Sequence, residues 1–207
     1  MENKFNEQDS LKLISEMITQ TRNNIQVGSA NSIIFCGYFV AATAITEVIL
    51  VNFSTLSHKV NWIWLLMIPM YFISLIINRR KDKRAIVRTP IDRITHSIWI
   101  GFTISIIIAL STIFASVYVF QTWLVCIFIT PVLLLLTGLA QYMTGTVSKF
   151  RPFINGAYIF WIGALLSVFS YKVFGNDNGQ FIILAICMIT GFVIPGHILN
   201  RKAKEHV

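Results

Sequence analysis

Residues 97–120 read SIWIGFTISIIIALSTIFASVYVF, a run of 24 residues without a charged side chain. A helix that crosses the hydrocarbon core of a bilayer, roughly 30 Å thick, needs about 20 apolar residues. Apolar and polar residues do not alternate with period two along the run, so it does not read as the strand of a membrane barrel. The stretch therefore predicts a transmembrane α-helix.

Five further apolar runs predict an all-α integral membrane bundle of six transmembrane helices. The spans are placed at about 30–52, 61–78, 97–120, 122–143, 153–174 and 180–199. Only 13% of the 207 residues are charged, about half the share in a soluble domain. The second run is the shortest, and it reaches spanning length only when Asn61 and Asn78 are counted at the interfaces.

The basic residues are distributed unevenly around these spans. Of the 17 Lys and Arg residues, only Lys59 and Lys172 lie in connections on one side of the predicted bundle, and all others lie on the opposite side. Positive charge marks the cytoplasmic side of a membrane protein. The pattern predicts that both termini are cytoplasmic, and the net charge of +8 is assigned to membrane-surface chemistry and not to nucleic acid.

The chain accordingly divides into a cytoplasmic segment (1–28), a membrane domain (29–200) and a basic tail (201–207). Thr89-Pro90 predicts that the third helix begins before the membrane, because Thr is a good N-cap and Pro suits the first helical position. The six helices are compatible with three helical hairpins. Odd helices carry an early glycine and even helices a proline, which indicates either a repeat or chance: Gly37, Gly101 and Gly156; Pro69, Pro131 and Pro195.

Glu47 is the only acidic residue within a predicted span. Ionisable side chains inside a membrane are costly and mark proton or ion sites in many proteins. The structural alternative is an interfacial glutamate paired with His58 or Lys59. A wider candidate polar site collects the side chains that could line a path, or that could instead satisfy one another at helix ends: Glu47, Thr43, Gln141, Tyr142, Asn155 and His197.

The segment before the first span predicts an amphipathic helix within residues 9–27. Its apolar positions recur with helical spacing, and polar residues fill the other positions. Two interpretations stay open. The helix lies on the membrane surface or on the bundle, or it docks a cytoplasmic protein or a second copy of the chain. The candidate docking face consists of Leu11, Ile14, Ile18 and Ile25.

The connector between the second and third spans is strongly basic. Read alone it resembles a nucleic-acid patch, but its position between two spans makes it a topology determinant. Each basic residue near an anionic surface contributes about 1 kcal/mol of attraction. The candidate contacts to anionic lipid are Arg79, Arg80, Lys81, Lys83, Arg84 and Arg88.

Signatures of catalysis are missing from the sequence. It contains neither an HExxH zinc motif nor a glycine-rich phosphate loop of the Walker type. No nucleophile–base pair and no paired acids within the spans can be named. We therefore expect a protein that is not an enzyme and that has no metal and no cofactor.

Three stretches resemble an uncharacterised family of small polytopic inner-membrane proteins from Bacteroidetes-type bacteria. They are Ser10–Ile18, Ile33–Phe39, which ends in Gly-Tyr-Phe, and Pro195–Lys202. The resemblance implies a bacterial inner-membrane location. It implies no activity, because the family carries none that is established.

Two functions follow as hypotheses. The first is a non-enzymatic scaffold or sensor whose cytoplasmic helix, residues 9–27, meets a protein partner. The alternative is a small transporter or channel with a polar path near Glu47. The lipid bilayer is the one partner that both hypotheses require.

Overall fold

The structure, a computed structural model, describes residues 31–53, 57–82, 90–174 and 178–205. Throughout these ranges the regular structure is helical, which confirms the all-α prediction. The helices are α1 (Asn31–Phe53), α2 (Met67–Asp82), α3 (Pro90–Phe120), α4 (Ile129–Val147), α5 (Arg151–Phe174), α6 (Asn178–Met188) and α7 (Ile194–Glu205). Segments of 3-10 helix precede α2 (Ser57–Leu66) and α4 (Trp123–Phe128), and a π-helical segment (Ile189–Val193) joins α6 to α7.

Five helical stretches in these ranges are long and apolar enough to cross a membrane: Asn31–Phe53, Arg93–Phe120, Trp123–Val147, Arg151–Val173 and Asn178–Lys202. Large apolar side chains cover the outside of the bundle, among them Ile107 on α3 and Phe169 on α5. A soluble monomer does not expose apolar surface on this scale. The chain is a helical membrane protein.

The second predicted span is long enough to cross the hydrocarbon core because part of it is 3-10 helix. Its apolar part, Val60–Ile76, is shorter than the other five. Residues 60–66 belong to the 3-10 segment, which rises about 2.0 Å per residue instead of 1.5 Å. The apolar part is therefore roughly 29 Å long, close to the thickness of the hydrocarbon core.

Local chemistry bears on two of the helix boundaries. α3 is described from Pro90 onward, and Thr89, its predicted N-cap, lies outside the described residues. α4 ends in a tight turn in which Phe150 N donates to Gly145 O at 2.9 Å. Lys149 takes a left-handed conformation there, with φ of 53°. Because this turn is so short, α4 and α5 lie side by side in antiparallel directions.

The buried core gathers around α6. α5 packs along α6, and α1 meets the same span through Asn52, which bonds to Asn178, and through Gly37, which lies against Val193. α4 packs on α5, α3 packs on α4, and α2 packs on α1 through Ser74, whose Oγ lies 3.0 Å from Ser32 Oγ. The main buried cluster comprises Ala41, Ala44, Leu134, Phe160, Ala164, Leu184, Ala185, Cys187, Met188 and Phe192.

The predicted hairpin partners are neighbours, but the glycines of the suggested repeat do not share one environment. Gly37 lies against Val193, and Gly156 lies against the backbone of Gly191. A Cβ added to Gly101 would meet nothing within 4 Å. Close approach of two helices therefore explains the first and third glycines and does not explain Gly101.

One end of the bundle, where α1 begins and α7 ends, is called the basic end here. Asn200 Nδ2 donates to Asn31 Oδ1 at 2.7 Å at this end, and Lys202 Nζ lies 5.7 Å from the ring centroid of Phe150. The described basic side chains at this end are Arg93, Lys149, Arg151, Arg201 and Lys202. Lys172 lies at the other end, called the opposite end below.

Several predictions concern residues outside the described ranges. The amphipathic helix of residues 9–27, with its candidate docking face, is one of them. Lys83, Arg84 and Arg88 of the candidate lipid contacts also lie outside. The other three lipid-contact candidates fall on the last turns of α2, at positions where only the backbone is described.

Candidate functional site

Glu47 lies on the buried face of α1. That face carries small side chains, Gly37, Ala41 and Ala44, which let α1 press closely against α6 and the π segment. Glu47 continues the same face and is 0% exposed. A charged side chain at the centre of a bilayer costs on the order of 3 kcal/mol on insertion scales. Its burial inside the bundle keeps it away from lipid.

Two contacts set the register of α1 against the last membrane span. Asn178 Nδ2 donates to Asn52 Oδ1 at 3.2 Å near the opposite end. Gly37 lies against Val193 near the basic end. The two helices are antiparallel, so the same number of residues is counted from each contact along both of them. This count brings Glu47 level with Ile183 and Leu184. Glu47 therefore lies in the core, about 9 Å from the end of α1.

The threonine hydroxyls near Glu47 bond within their own helix. Thr43 Oγ1 donates to Phe39 O at 2.9 Å, and Thr46 Oγ1 donates to Ala42 O at 2.8 Å. Thr43 is buried, and Thr46 is exposed. Of these two hydroxyls, only that of Thr43 lies on the protein-facing side with Glu47. The side chains of His58 and Lys59, the alternative partners of Glu47, lie outside the described side chains.

Further buried polar side chains occupy the opposite end of the core. Gln180, 3% exposed, donates from Nε2 to Ile127 O at 3.1 Å and so ties α6 to the 3-10 segment before α4. Ser167 Oγ donates to Ala164 O at 2.8 Å, and Ser170 Oγ donates to Ser167 O at 2.7 Å. Together with the buried Asn178 and its exposed partner Asn52, these residues form the opposite-end polar set.

Sequence reasoning did not select the opposite-end polar set. A signal was present for two of its members: Asn178 and Gln180 flank Gly179 at the start of an apolar run, and amide side chains near a span need partners. Ser167 and Ser170 offered no such signal, because a serine in a membrane helix can satisfy its hydroxyl on its own backbone anywhere.

Gln141 makes the most unusual bond of the core. Its side chain is 1% exposed, and Nε2 donates to Gly191 O at 2.6 Å. Four residues after Gly191 stands Pro195, which has no N–H, so the Gly191 carbonyl lacks the donor that an α-helix would supply. Gln141 on α4 replaces that missing backbone donor from a neighbouring helix.

The backbone around this bond departs from α-helix. Residues Ile189–Val193 are π-helical, and Ile194 N donates to Ile189 O, five residues back. Gly156 on α5 permits the three helices to meet, because a Cβ at that position would lie 2.5 Å from both Gln141 Nε2 and Gly191 O. Single turns of π-helix are frequent at functional sites.

The side-chain oxygen of Gln141, unlike its nitrogen, makes no hydrogen bond to the described residues. In the described part of the chain, no donor lies within hydrogen-bond distance of its Oε1, which is fully buried. A buried polar atom left in this state costs about 1–3 kcal/mol. The amide is thus held in place by one strong bond at some expense to the stability of the fold.

The structure places the other predicted polar residues apart from Gln141. Tyr142 stacks on Trp161, with 5.5 Å between ring centroids, on another face of α4. Asn155 is exposed. His197 is exposed at the basic end, where its Nε2 lies 3.2 Å from Tyr38 Oη. The six candidate residues therefore do not form one cluster: Glu47 and Thr43 lie in one region, Gln141 in a second, and the rest on the periphery.

Within the described ranges, no three His, Cys, Asp or Glu side chains come together in an arrangement that could hold a metal ion. Threonines on α4, Thr137 and Thr144, bond to carbonyls of their own helix at 2.7 and 2.8 Å. The chain matches no family model, no curated protein sequence and no solved structure.

Proposed function

We propose that the chain is a small transporter or channel of a bacterial inner membrane, with both termini in the cytoplasm, and that Glu47 binds a proton on its path. The observation that carries the proposal is the complete burial of this carboxylate in a membrane-spanning helix. Intramembrane carboxylates face the bundle interior where they serve proton relays. The other buried side chains of α1 are small or carry a hydroxyl, so Glu47 is the one ionisable side chain on this face among the described residues.

A proton suits this site better than a metal cation. A dehydrated cation needs several oxygen ligands at once, and Glu47 is the only acidic residue within the predicted spans. A single carboxylate suffices to bind and release a proton. The hydroxyl of Thr43 is engaged with Phe39 O, and it retains acceptor capacity toward a protonated neighbour.

Polar side chains on both sides of Glu47 support a path through the core. The buried members of the opposite-end polar set, all except Asn52, lie in the core toward one end. Gln141, with its buried acceptor, lies toward the basic end. Long apolar stretches without polar groups would be a barrier to proton movement, and here the buried polar groups are distributed along the bundle.

The orientation is supported by charge. The described basic side chains that flank the spans gather at the basic end, and Lys172 is the described exception at the opposite end. Such a bias is typical of the cytoplasmic side of a membrane protein and supports this orientation. The bacterial location rests on the family resemblance. A scaffold or sensor role through residues 9–27 stays a prediction, since those residues lie outside the described ranges.

Proton flux into proteoliposomes tests the proposal. The purified protein is reconstituted, a potassium diffusion potential is imposed, and proton entry is followed with a pH-sensitive dye inside the vesicles. We expect flux above that of protein-free vesicles for the wild type and flux at background for Glu47→Gln. Thr46→Val, which alters an exposed neighbour on α1, should keep the wild-type flux.

Two results would contradict the proposal. One is a wild type that conducts no more than empty vesicles at the imposed potential. The other is equal flux in the wild type and in Glu47→Gln. Both variants should be compared at matched protein content and with matched thermal stability, so that a loss of flux is not a loss of folded protein.

A further inference from the structure

The last membrane span is divided by its π segment into two differently anchored halves. α6 is held by Gln180, which bonds to Ile127 O, and by Cys187, which lies directly against Gly163. α7 is held at the basic end, where Asn200 bonds to Asn31. Between the two anchors lie Gly191, Pro195 and Gly196, residues that weaken or remove backbone hydrogen bonds of a helix.

Gln141 is the side chain that closes this break. Its Nε2 supplies the donor that Pro195 cannot supply to Gly191 O, at 2.6 Å. Its Oε1 is buried and meets no donor from the described residues. The amide therefore gains one bond in this arrangement and forgoes another, which it would make if the break opened to water or to another polar group.

We propose that the last membrane span has a hinge at Ile189–Val193 and that Gln141 is the latch that holds the hinge in the arrangement seen here. Release of the Gln141–Gly191 bond lets α7 move relative to α6. The proposal does not depend on Glu47 or on transport, because it concerns the equilibrium between two conformations of the protein. Its experiment needs no flux measurement.

Trp99 offers a local reporter of the hinge. Its ring centroid lies 6.0 Å from that of Phe192, which belongs to the π segment. Phe192 in turn lies 5.2 Å, centroid to centroid, from Phe160 on α5. Any movement of the π segment changes the ring currents at Trp99. Labelling the chain with 5-fluorotryptophan gives one fluorine resonance per tryptophan, and Trp99→Phe identifies the resonance of Trp99.

The experiment compares two buried glutamines, each of which donates a hydrogen bond to a distant backbone carbonyl. Gln141→Met keeps the length of the side chain and removes the bond to Gly191. Gln180→Met removes an equivalent bond from a buried glutamine to a backbone carbonyl, but at the opposite end. We expect Gln141→Met to give a second Trp99 resonance or a shift larger than the linewidth, and Gln180→Met to leave the Trp99 resonance where it is in the wild type.

Restoring the backbone donor gives a second test. Pro195→Ala returns an N–H to the position four residues after Gly191. In the double variant Gln141→Met/Pro195→Ala, the Trp99 resonance should return toward its wild-type position, because the carbonyl again has a partner. A side chain that only fills volume would not be rescued by a change in the backbone of another helix.

The proposal is overturned if the Trp99 resonance is the same in Gln141→Met as in the wild type. It is also overturned if Gln180→Met disturbs this resonance as much as Gln141→Met does, since the effect would then be a general loosening of the bundle. Failure of Pro195→Ala to reverse the change would exclude the missing backbone donor as the cause.

Discussion

The side-chain nitrogen of Gln141 lies 2.6 Å from the carbonyl oxygen of Gly191, fifty residues further along the chain. Inside a membrane bundle no water replaces a lost backbone donor, so a carbonyl left without a partner costs several kcal/mol. Pro195 creates such a carbonyl, and Gln141 satisfies it. This relationship joins α4 to the last membrane span, and it explains why a glutamine is tolerated in the core of a membrane bundle.

The same junction predicts a strong dependence on residue size at Gly156. Gly156→Ala should destabilise the bundle by about 1–3 kcal/mol, because the new Cβ would collide with Gln141 Nε2 and Gly191 O. Unfolding in mixed micelles of a mild detergent and SDS measures the change. Gly101→Ala is the matched control, since a Cβ there meets nothing; it should be neutral or stabilising by at most about 1 kcal/mol. Equal losses at the two positions would contradict the placement of these helices.

Two phenylalanines on α5 differ in their surroundings: one packs within the protein and the other faces lipid. Phe160 is 0% exposed, and Phe169 is 66% exposed. Phe160→Ala should cost about 3–5 kcal/mol through the cavity that it leaves. Phe169→Ala should change stability by no more than about 0.5 kcal/mol, because lipid replaces the lost contacts. The same unfolding assay ranks the two, and a reversed order would show that α5 is rotated.

The register of α1 against the last span is open to a cross-linking test. Asn52→Cys with Asn178→Cys should be joined rapidly by a short thiol cross-linker, because the two native side chains lie 3.2 Å apart. The mismatched pair Asn52→Cys with Asn200→Cys has its residues at opposite ends and should not react. The wild type, with its native cysteines, gives the background. Cross-linking of the mismatched pair alone would show that the two helices run in the opposite relative direction.

The proposed orientation in the membrane predicts the outcome of reporter fusions. A reporter that is active only in the cytoplasm should be active after residue 150, in the α4–α5 turn, and after the C-terminus. A reporter that is active only outside should be active after residue 176. Activity of one reporter at both residue 150 and residue 176 would contradict a span between them. The arrangement expected here follows from the charge bias.

The existence and length of the spans could be predicted because they depend on local properties of the chain. An apolar run such as 97–120 must become a helix in hydrocarbon, where every backbone group has to bond within its own segment. The Thr89-Pro90 pair predicted the start of α3 for a similarly local reason, and α3 is described from Pro90 onward. The second span could be recognised only as short, since nothing in its sequence announces that 3-10 helix supplies part of its length.

The faces of the helices could not be predicted in the same way. Gln141 and Tyr142 are adjacent in sequence, yet one is buried beside Gly191 and the other stacks on Trp161. In a soluble protein, hydropathy separates the inside of a helix from the outside. In a membrane both sides are apolar, so the pattern carries little information about which side faces protein.

The amino-acid sequence by itself determined that this chain crosses a membrane as helices, because burial of apolar residues in lipid and pairing of backbone groups within each helix are decided span by span. Only the tertiary structure decided that Glu47 lies inside the bundle, that Gly156 rather than Gly101 marks a close approach, and that Gln141 completes the backbone at Gly191. These relationships depend on which helices become neighbours. That choice is made by the fit of side chains between distant segments, which no single segment encodes.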